Sequence, residues 1–559
     1  MPTEKPWLRH YPEQIPHDLH FEDKTLQSIL QQSAQQFSEK PAIYFLGKKR
    51  TYRQVYEEAL KMADYLLSLG MKKGDRVSIM LPNCPQAVIA YYGVLFSGGI
   101  VVQTNPLYTE RELEHLLKDS GAEIIITLDM LYPAAFKMKA LTNVRHIIVT
   151  SIKEYLPFPK NLLYPIVQKK QQQFSIEITE NETTHLFRTI MKRPVPAQPP
   201  EIAADPAHDI AVLQYTGGTT GTPKGVMLSH RNILANMEMC AAWFYRLKKG
   251  NEKVLGIVPF FHVYGMTSVL NFTIRQGYEM ILLPRFDAGM ALKTIDKEKP
   301  TIFPGAPTIY IGLLNHPDVH RYDLSSIKSC LSGSAALPVE VKQQFEKATG
   351  GKLVEGYGLS EASPVTHANF IWDQNKAGSI GCPWPGTDAA IYSEETGGFL
   401  GPYEHGEIIV KGPQVMKGYW NNDEETAAVL RDGWLFTGDI GYMDKDGFFY
   451  IVDRKKDLII AGGYNIYPRE IEEVLYEHEA VQEAVVAGIP DEYRGETVKA
   501  FVVLKDHVTI TEKELDEYAR SRLASYKVPK VYEFRDELPK TAVGKILRRA
   551  LVHGEKANI

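Results

Sequence analysis

VSIMLPNCPQAVIAYYGVLFSGGIVVQTNPLYT, residues 77–109, carries no charged side chain and holds an apolar run, AVIAYYGVLFSGGIVV, that approaches the length of a membrane span. Its punctuation argues for a different structure. Pro82, Asn83 and Pro85 break the chain after VSIML, and Gly98 and Gly99 break it again before IVV. The stretch therefore predicts strand, turn, helix, turn and strand, all buried in an α/β core.

The same alternation extends outward. Upstream, Thr51 and Gln54 have capping-box spacing, Val55, Leu60, Ala63 and Leu67 follow at helical intervals, Gly70 can close the helix, and RVSIML resumes as a strand. Downstream, AEIIIT and HIIVT have the continuous apolar character of strands covered on both faces. Strands alternating with helices predict a doubly wound α/β fold.

At 559 residues the chain exceeds one ordinary core, so at least two domains are expected. Hydrophobic residues make up 44% and charged residues 23%, and the formal net charge is −5, which offers no basic excess to attract nucleic acid. Cys84, Cys240, Cys330 and Cys382 form neither a Cys-x-x-Cys pair nor a small-protein disulfide framework, which fits a reducing cytoplasm. The opening MPTEKPWLRHYPEQIPHD mixes charge with proline where a signal peptide needs an apolar stretch. From Lys153 to Pro200 the pattern weakens into an insertion and a proline-rich linker, and α/β patterning returns at Asp209. The last hundred residues predict a small α+β unit, with a helix opening at Pro468, strands EAVVAGI and VKAFVVL, and a second capping box at Thr511 and Glu514.

The densest chemistry lies in YTGGTTGTPKG, residues 215–225, directly after the strand-like AVLQ. Glycines admit phosphate oxygens to backbone amides, threonines add donors and Lys224 adds a cation, so the loop suits a polyphosphate. It is not a Walker A loop, because Lys224 follows proline and precedes Gly225, leaving no metal-binding hydroxyl in the usual place. That counts against a P-loop ATPase or kinase releasing ADP, which is the competing reading; a plain Gly/Thr turn is the bland one.

Further motifs follow in order: PFFHVYG at 259–265, FPGAPTIYIGLL at 303–314, LSGSAALP at 331–338, EGYGLSE at 355–361, WLFTGD at 434–439, VDRKKDLIIAGGYNIYPREIE at 452–472 and PKTAVGKILRR at 539–549. Their order and spacing resemble the adenylate-forming superfamily of acyl-CoA synthetases, adenylation domains and luciferases. The first two motifs and the YTGGTTG loop look like those of bacterial long-chain fatty-acid–CoA ligases. The resemblance implies a large N-terminal AMP-binding domain of layered α/β subdomains, residues 1–455, and a small mobile C-terminal α+β domain, residues 456–559, that carries a catalytic lysine.

It also implies ATP, Mg²⁺ and coenzyme A. A fatty acid and ATP would give acyl-AMP and pyrophosphate, and the coenzyme A thiol would then take the acyl group and release AMP. By residue-for-residue match, Thr216, Gly217, Gly218, Thr219, Thr220, Gly221 and Lys224 hold phosphates, while Thr216 and Glu361 hold Mg²⁺, for which a hydroxyl and a carboxylate are suitable hard ligands. Gly333, Ser334, Gly356 and Tyr357 surround the adenine, Ser360 lies near the phosphates, Asp439 accepts from the ribose hydroxyls, and Arg454 sits close by. Lys545 matches the lysine that reaches the substrate carboxylate and α-phosphate during adenylation.

The resemblance places a hinge at Lys456 and the thiol path at Gly463 and Tyr464 within AGGYNIYP. His262 and Tyr264 belong to the acyl side. A buried, hydrogen-bonded His262 is expected in preference to a general base, since the attacking carboxylate is already ionised near pH 7. Long-chain enzymes of this kind can carry a tryptophan gate shortly after this histidine, and here the residues read VYGMTS. Medium-chain and aryl-acid ligases remain alternatives within the group. A fatty substrate is compatible with transient peripheral contact at the inner face of the membrane, although no anchoring helix or lipidation motif is present.

Overall fold

The computed structural model describes residues 5–164, 178–216, 223–455, 457–461, 464–491, 495–505, 507–541 and 544–552. The uncharged stretch forms strand Arg76–Met80, helix Pro85–Phe96 and strand Ile100–Gln103, and every residue of the helix is buried. The helix is covered on all sides, which is why it lacks a polar stripe. On one side it meets helix Tyr52–Ser68, which the Thr51–Gln54 capping box opens. Gly93 permits the approach, because a Cβ there would lie 2.5 Å from Met62 Cγ.

These strands occupy the middle of an eight-stranded sheet, in the order Gly418–Tyr419, Lys224–Ser229, Ile210–Thr216, Ile100–Gln103, Arg76–Met80, Ile124–Leu128, His146–Thr150, Thr184–Leu186. From Ile210–Thr216 to Thr184–Leu186 all pairings are parallel, and Lys224–Ser229 and Gly418–Tyr419 add antiparallel edges. The edge strand Thr184–Leu186 lies inside the segment expected to be insertion and linker. Three residues are too few to show a period in sequence, and only pairing with His146–Thr150 makes them a strand.

Strands Lys253–Gly256, Glu279–Leu282 and Pro41–Phe45 form a second parallel layer, linked through bridges at Ile302 to the parallel pair Ser329–Ser332 and Lys352–Gly358. An antiparallel sheet follows, in which Trp434–Met443 pairs with both Gly406–Lys411 and Phe449–Arg454. Beyond it, helix Pro468–Tyr476 and strands Val481–Asp491, Gly495–Leu504 and Val531–Phe534 build an α+β unit with its own core, including Ile471, Leu475, Val486, Val502 and Leu515. Thr511 and Glu514 make the expected capping box. All four cysteines are free and buried. Among the described residues no helix is long and apolar enough to cross a membrane.

One core residue gives this fold a readable pH dependence. His367 is fully buried on strand Val365–Ala368, with Nδ1 2.8 Å from Thr366 Oγ1, and burial pushes its imidazole down to about 3. An unfolded histidine takes up its proton near 6.5, so the unfolded state gains protons first as pH falls, and stability is lost below 6.5 towards 3. Between pH 7 and pH 5 this residue should remove about 2 kcal/mol. His367→Asn is expected to flatten the pH dependence of urea unfolding by that amount, and an unchanged slope would refute the assignment.

Candidate active site

Strand Ile210–Thr216 ends at Thr216 and the antiparallel strand Lys224–Ser229 begins at Lys224, the two residues being cross-strand partners. The glycine-rich loop between them thus closes a β-hairpin, whereas a Walker A loop would lead into a helix. Lys224 Nζ lies 2.5 Å from Glu425 Oε2 and 5.0 Å from the centroid of the Tyr419 ring.

The parallel pairing of Ser329–Ser332 with Lys352–Gly358 sets Ser332 opposite Glu355, and so brings Gly333 and Ser334 beside Gly356 and Tyr357. Gly333 is close-packed, since a Cβ there would stand 3.3 Å from the Tyr264 ring, and Ser334 adopts φ +72°. The Tyr357 hydroxyl donates to Asp439 Oδ2 at 2.6 Å, and Arg454 Nε lies 3.2 Å from Asp439 Oδ1. Asp439 and Arg454 face each other across adjacent strands. The Asp439 charge holds the Arg454 guanidinium above its ordinary range, and burial together with Asp439 raises the Tyr357 phenol. Asp439 is an acceptor-only group braced by a phenol and a guanidinium, suited to a vicinal diol.

Ser360 and Glu361 sit on the short turn Ser360–Ala362. Glu361 Oε1 accepts from the Tyr419 hydroxyl at 2.8 Å, and Glu361 contributes to the field on Arg454. Among the described residues no cluster of three or more His, Cys, Asp and Glu side chains could hold a metal alone. A single carboxylate with a hydroxyl such as Thr216 is a donor set that fits Mg²⁺, which takes its remaining oxygens from phosphate and water.

His262 is half-buried, with Nδ1 accepting from the Tyr264 amide at 3.2 Å. Nε2 therefore carries the proton of the neutral ring. Burial, and then the nearby Lys545 charge, push the imidazole down to about 4. At neutral pH it is a hydrogen-bond donor without charge, suited to orienting a carboxylate. The Tyr264 hydroxyl donates to Leu331 O, so it braces the floor beneath Gly333.

The Lys545 loop comes from the small α+β unit. Gly544, at φ +78°, lies against Thr308 at the start of helix Pro307–Leu314, where a Cβ would meet Thr308 Oγ1 at 2.1 Å. The backbone of Thr541, Gly544 and Lys545 closes a tight turn through Gly544 N–Thr541 O and Thr541 N–Lys545 O bonds, both 2.8 Å. Lys545, 283 positions from His262 in the chain, is thereby brought within electrostatic range of it. Gly217, Gly218, Thr219, Thr220, Gly221, Lys456, Gly463 and the side chain of Tyr464 lie outside the described residues.

Sequence reasoning did not single out Tyr419, Glu425, Asp453 or Arg548. Arg548 gathers Glu472 at 2.6 and 2.8 Å, Asp457 at 3.0 Å and Asp453 at 3.7 Å. Asp453 also accepts from the Arg469 amide at 2.9 Å, and burial, opposed by Arg548, pushes its carboxyl up to about 6. The local signal for these residues is weak: in each case the partner is set by strand register or by packing between the two units.

The chain belongs to the AMP-binding enzyme family, which it matches over residues 30–420, with the AMP-binding enzyme C-terminal domain over residues 470–545. It is 70% identical over 558 residues to a long-chain-fatty-acid–CoA ligase of Bacillus subtilis, covering 100% of this chain and 99% of that one. A long-chain-fatty-acid–CoA ligase of Salmonella typhimurium is 40% identical, with 98% of each chain covered. Among solved structures, an anthranilate CoA ligase in complex with anthranoyl-AMP superimposes with a TM-score of 0.84 at 28% identity, covering 96% of this chain and 98% of that one.

Proposed function

We propose that this chain is an AMP-forming long-chain fatty-acid–CoA ligase, working in the cytoplasm with transient contact at the inner face of the membrane. The single observation that carries the reading is 70% identity along the whole chain to the Bacillus subtilis ligase. The geometry of Tyr357, Asp439, Arg454, His262 and Lys545 supports adenylation as the first step. Residues 1–455 form the adenylation domain and residues 456–559 the mobile domain, a division that falls between the two family matches.

In the first half-reaction Asp439 accepts from the ribose hydroxyls, Tyr357 presents a flat face to the adenine, and the loop from Thr216 to Lys224 cradles the phosphates. Mg²⁺, held through Glu361 and Thr216, supplies neutralisation of the triphosphate when bound. His262 donates from Nε2 to the fatty carboxylate, which attacks the α-phosphorus while Lys545 offsets the charge developing there. Pyrophosphate leaves, and the acyl adenylate remains. The small domain then turns about Lys456, withdrawing Lys545 and opening the path past Gly463 and Tyr464 for the coenzyme A thiol. The thiolate sulfur bonds to the acyl carbon, the acyl–phosphate bond breaks, and AMP departs.

ATP–pyrophosphate exchange across acids from acetate to oleate tests the reading. Strongest exchange with long-chain acids, with AMP and not ADP as product, is expected. Exchange confined to aromatic or short acids would overturn the chain-length assignment, and ADP as product would overturn adenylation itself.

A further inference from the structure

Two functional side chains, Lys224 and Glu361, are 137 positions apart in sequence and are bridged by one residue that neither motif contains. Tyr419 is the second residue of the edge strand Gly418–Tyr419 and lies opposite Val226. Lys417 N–Met227 O at 3.0 Å and Trp420 N–Gly225 O at 2.7 Å clamp the register on both sides. That register puts the ring of Tyr419 under the Lys224 ammonium, at 5.0 Å from the centroid, where a cation is attracted to the ring face. From its edge the same ring sends a hydroxyl to Glu361 Oε1 at 2.8 Å.

Each end of this bridge is itself secured. The Tyr419 amide donates to Thr426 Oγ1 at 2.8 Å, and the Met416 amide donates to Glu361 O at 2.8 Å, so strand and turn are tied through backbone as well as side chain. Glu425 holds Lys224 from the other side, and its own amide donates to Asn422 Oδ1 at 3.1 Å at the start of helix Asp423–Val429. Tyr419 is 6% exposed, and its hydroxyl is the donor towards the carboxylate. A phenol on one carboxylate oxygen fixes the rotation of the group, leaving Glu361 Oε2 with no hydrogen bond among the described residues.

We propose that Tyr419 is a positioning residue for nucleotide and metal together: its hydroxyl aims the Glu361 carboxylate at the divalent cation, and its ring face holds Lys224 in place for the phosphates. This rests on the reading of Glu361 as a Mg²⁺ ligand. Partners that orient a ligand from behind typically change metal affinity by 10–100-fold when removed. The two roles are separable, because Tyr419→Phe deletes the hydroxyl and keeps the ring, whereas Tyr419→Leu deletes both.

The experiment uses the full chain with α,β-methylene-ATP, so that no turnover occurs, and Mn²⁺ as the probe, its free concentration read by electron paramagnetic resonance. Glu361→Gln and Tyr419→Phe should both weaken Mn²⁺ binding in the ternary complex, Tyr419→Phe by about tenfold. Affinity for the nucleotide analogue without metal should be unchanged in Tyr419→Phe and reduced several-fold in Tyr419→Leu. Thermal unfolding of each variant separates these effects from loss of fold, and a purely structural tyrosine would not divide metal from nucleotide binding in this way. Wild-type Mn²⁺ affinity in Tyr419→Phe alongside weakened binding in Glu361→Gln overturns the proposal and leaves the metal assignment standing. Wild-type affinity in Glu361→Gln overturns the metal assignment, and the proposal with it.

Discussion

Lys545→Ala is expected to slow adenylate formation by roughly 10²- to 10³-fold while conversion of a supplied acyl adenylate to thioester stays near its wild-type rate. The size follows from removing a preorganised cation from the place where charge develops in a site shielded from water. The structure supports that placement: the Lys545 charge acts on His262, and Gly544 is seated against Thr308 with no room for a side chain. The selectivity is expected from the proposed domain turn, which would withdraw Lys545 from the acyl carboxylate before the thiol enters. ATP–pyrophosphate exchange measures the first step, and single-turnover thioester formation from synthetic acyl adenylate measures the second. Equal losses in both would remove Lys545 from its role.

The second large effect is expected at Arg548. One guanidinium faces Glu472, Asp457 and Asp453, and its side chain is 23% exposed. Arg548→Met leaves three carboxylates without their shared cation, and breaking a buried pair from one side costs about 3 kcal/mol or more. Loss of that stability should appear in the small α+β unit, read by urea unfolding or proteolysis. The sign with pH is also set. Asp453 is already pushed up to about 6, above an unfolded aspartate, so the native state binds its proton more tightly, and lowering pH through 6 favours the folded form. Arg548 holds the Asp453 carboxyl down, so in Arg548→Met it rises further and takes up its proton at a higher pH; the deficit should shrink between pH 7 and pH 5, and Glu472→Gln added to it should restore part of the stability. A variant as stable as wild type would show that the cluster contributes nothing net.

Arg548 lies three residues after Lys545, so the loop that carries Lys545 is anchored beside the chain leading to Lys456. Asp453 and Asp457 flank Lys456, and Arg548 contacts both. A turn of the small domain about Lys456 would have to rearrange this cluster, which gives the anchoring a bearing on how the two half-reactions alternate.

Short-range chemistry was legible without coordinates. The Thr51–Gln54 and Thr511–Glu514 boxes form because reciprocal hydrogen bonds across three residues need no distant partner. The uncharged stretch from 77 to 109 folded as strand, helix and strand because proline and glycine restrict the backbone wherever they stand. The edge strand Thr184–Leu186 was not legible, since an isolated triplet has no pattern and exists only through pairing. In the site, motif residues such as Tyr357, Asp439 and Arg454 could be named from sequence, yet their mutual bonds at 2.6 and 3.2 Å depend on sheets that meet only in the folded chain.

The sequence by itself determined the α/β class, a glycine- and threonine-rich loop unlike a Walker A loop, and the residue types available for nucleotide chemistry. These follow from backbone freedom, periodicity and functional groups, all of which act over a few positions. Only the tertiary structure decided that the loop closes a hairpin, that Lys545 stands within the field of His262, and that Tyr419 joins Lys224 to Glu361. Those outcomes are set by strand register and by the contact between two separately cored units, and a register slip of a single residue would send Tyr419 to the opposite face of the sheet.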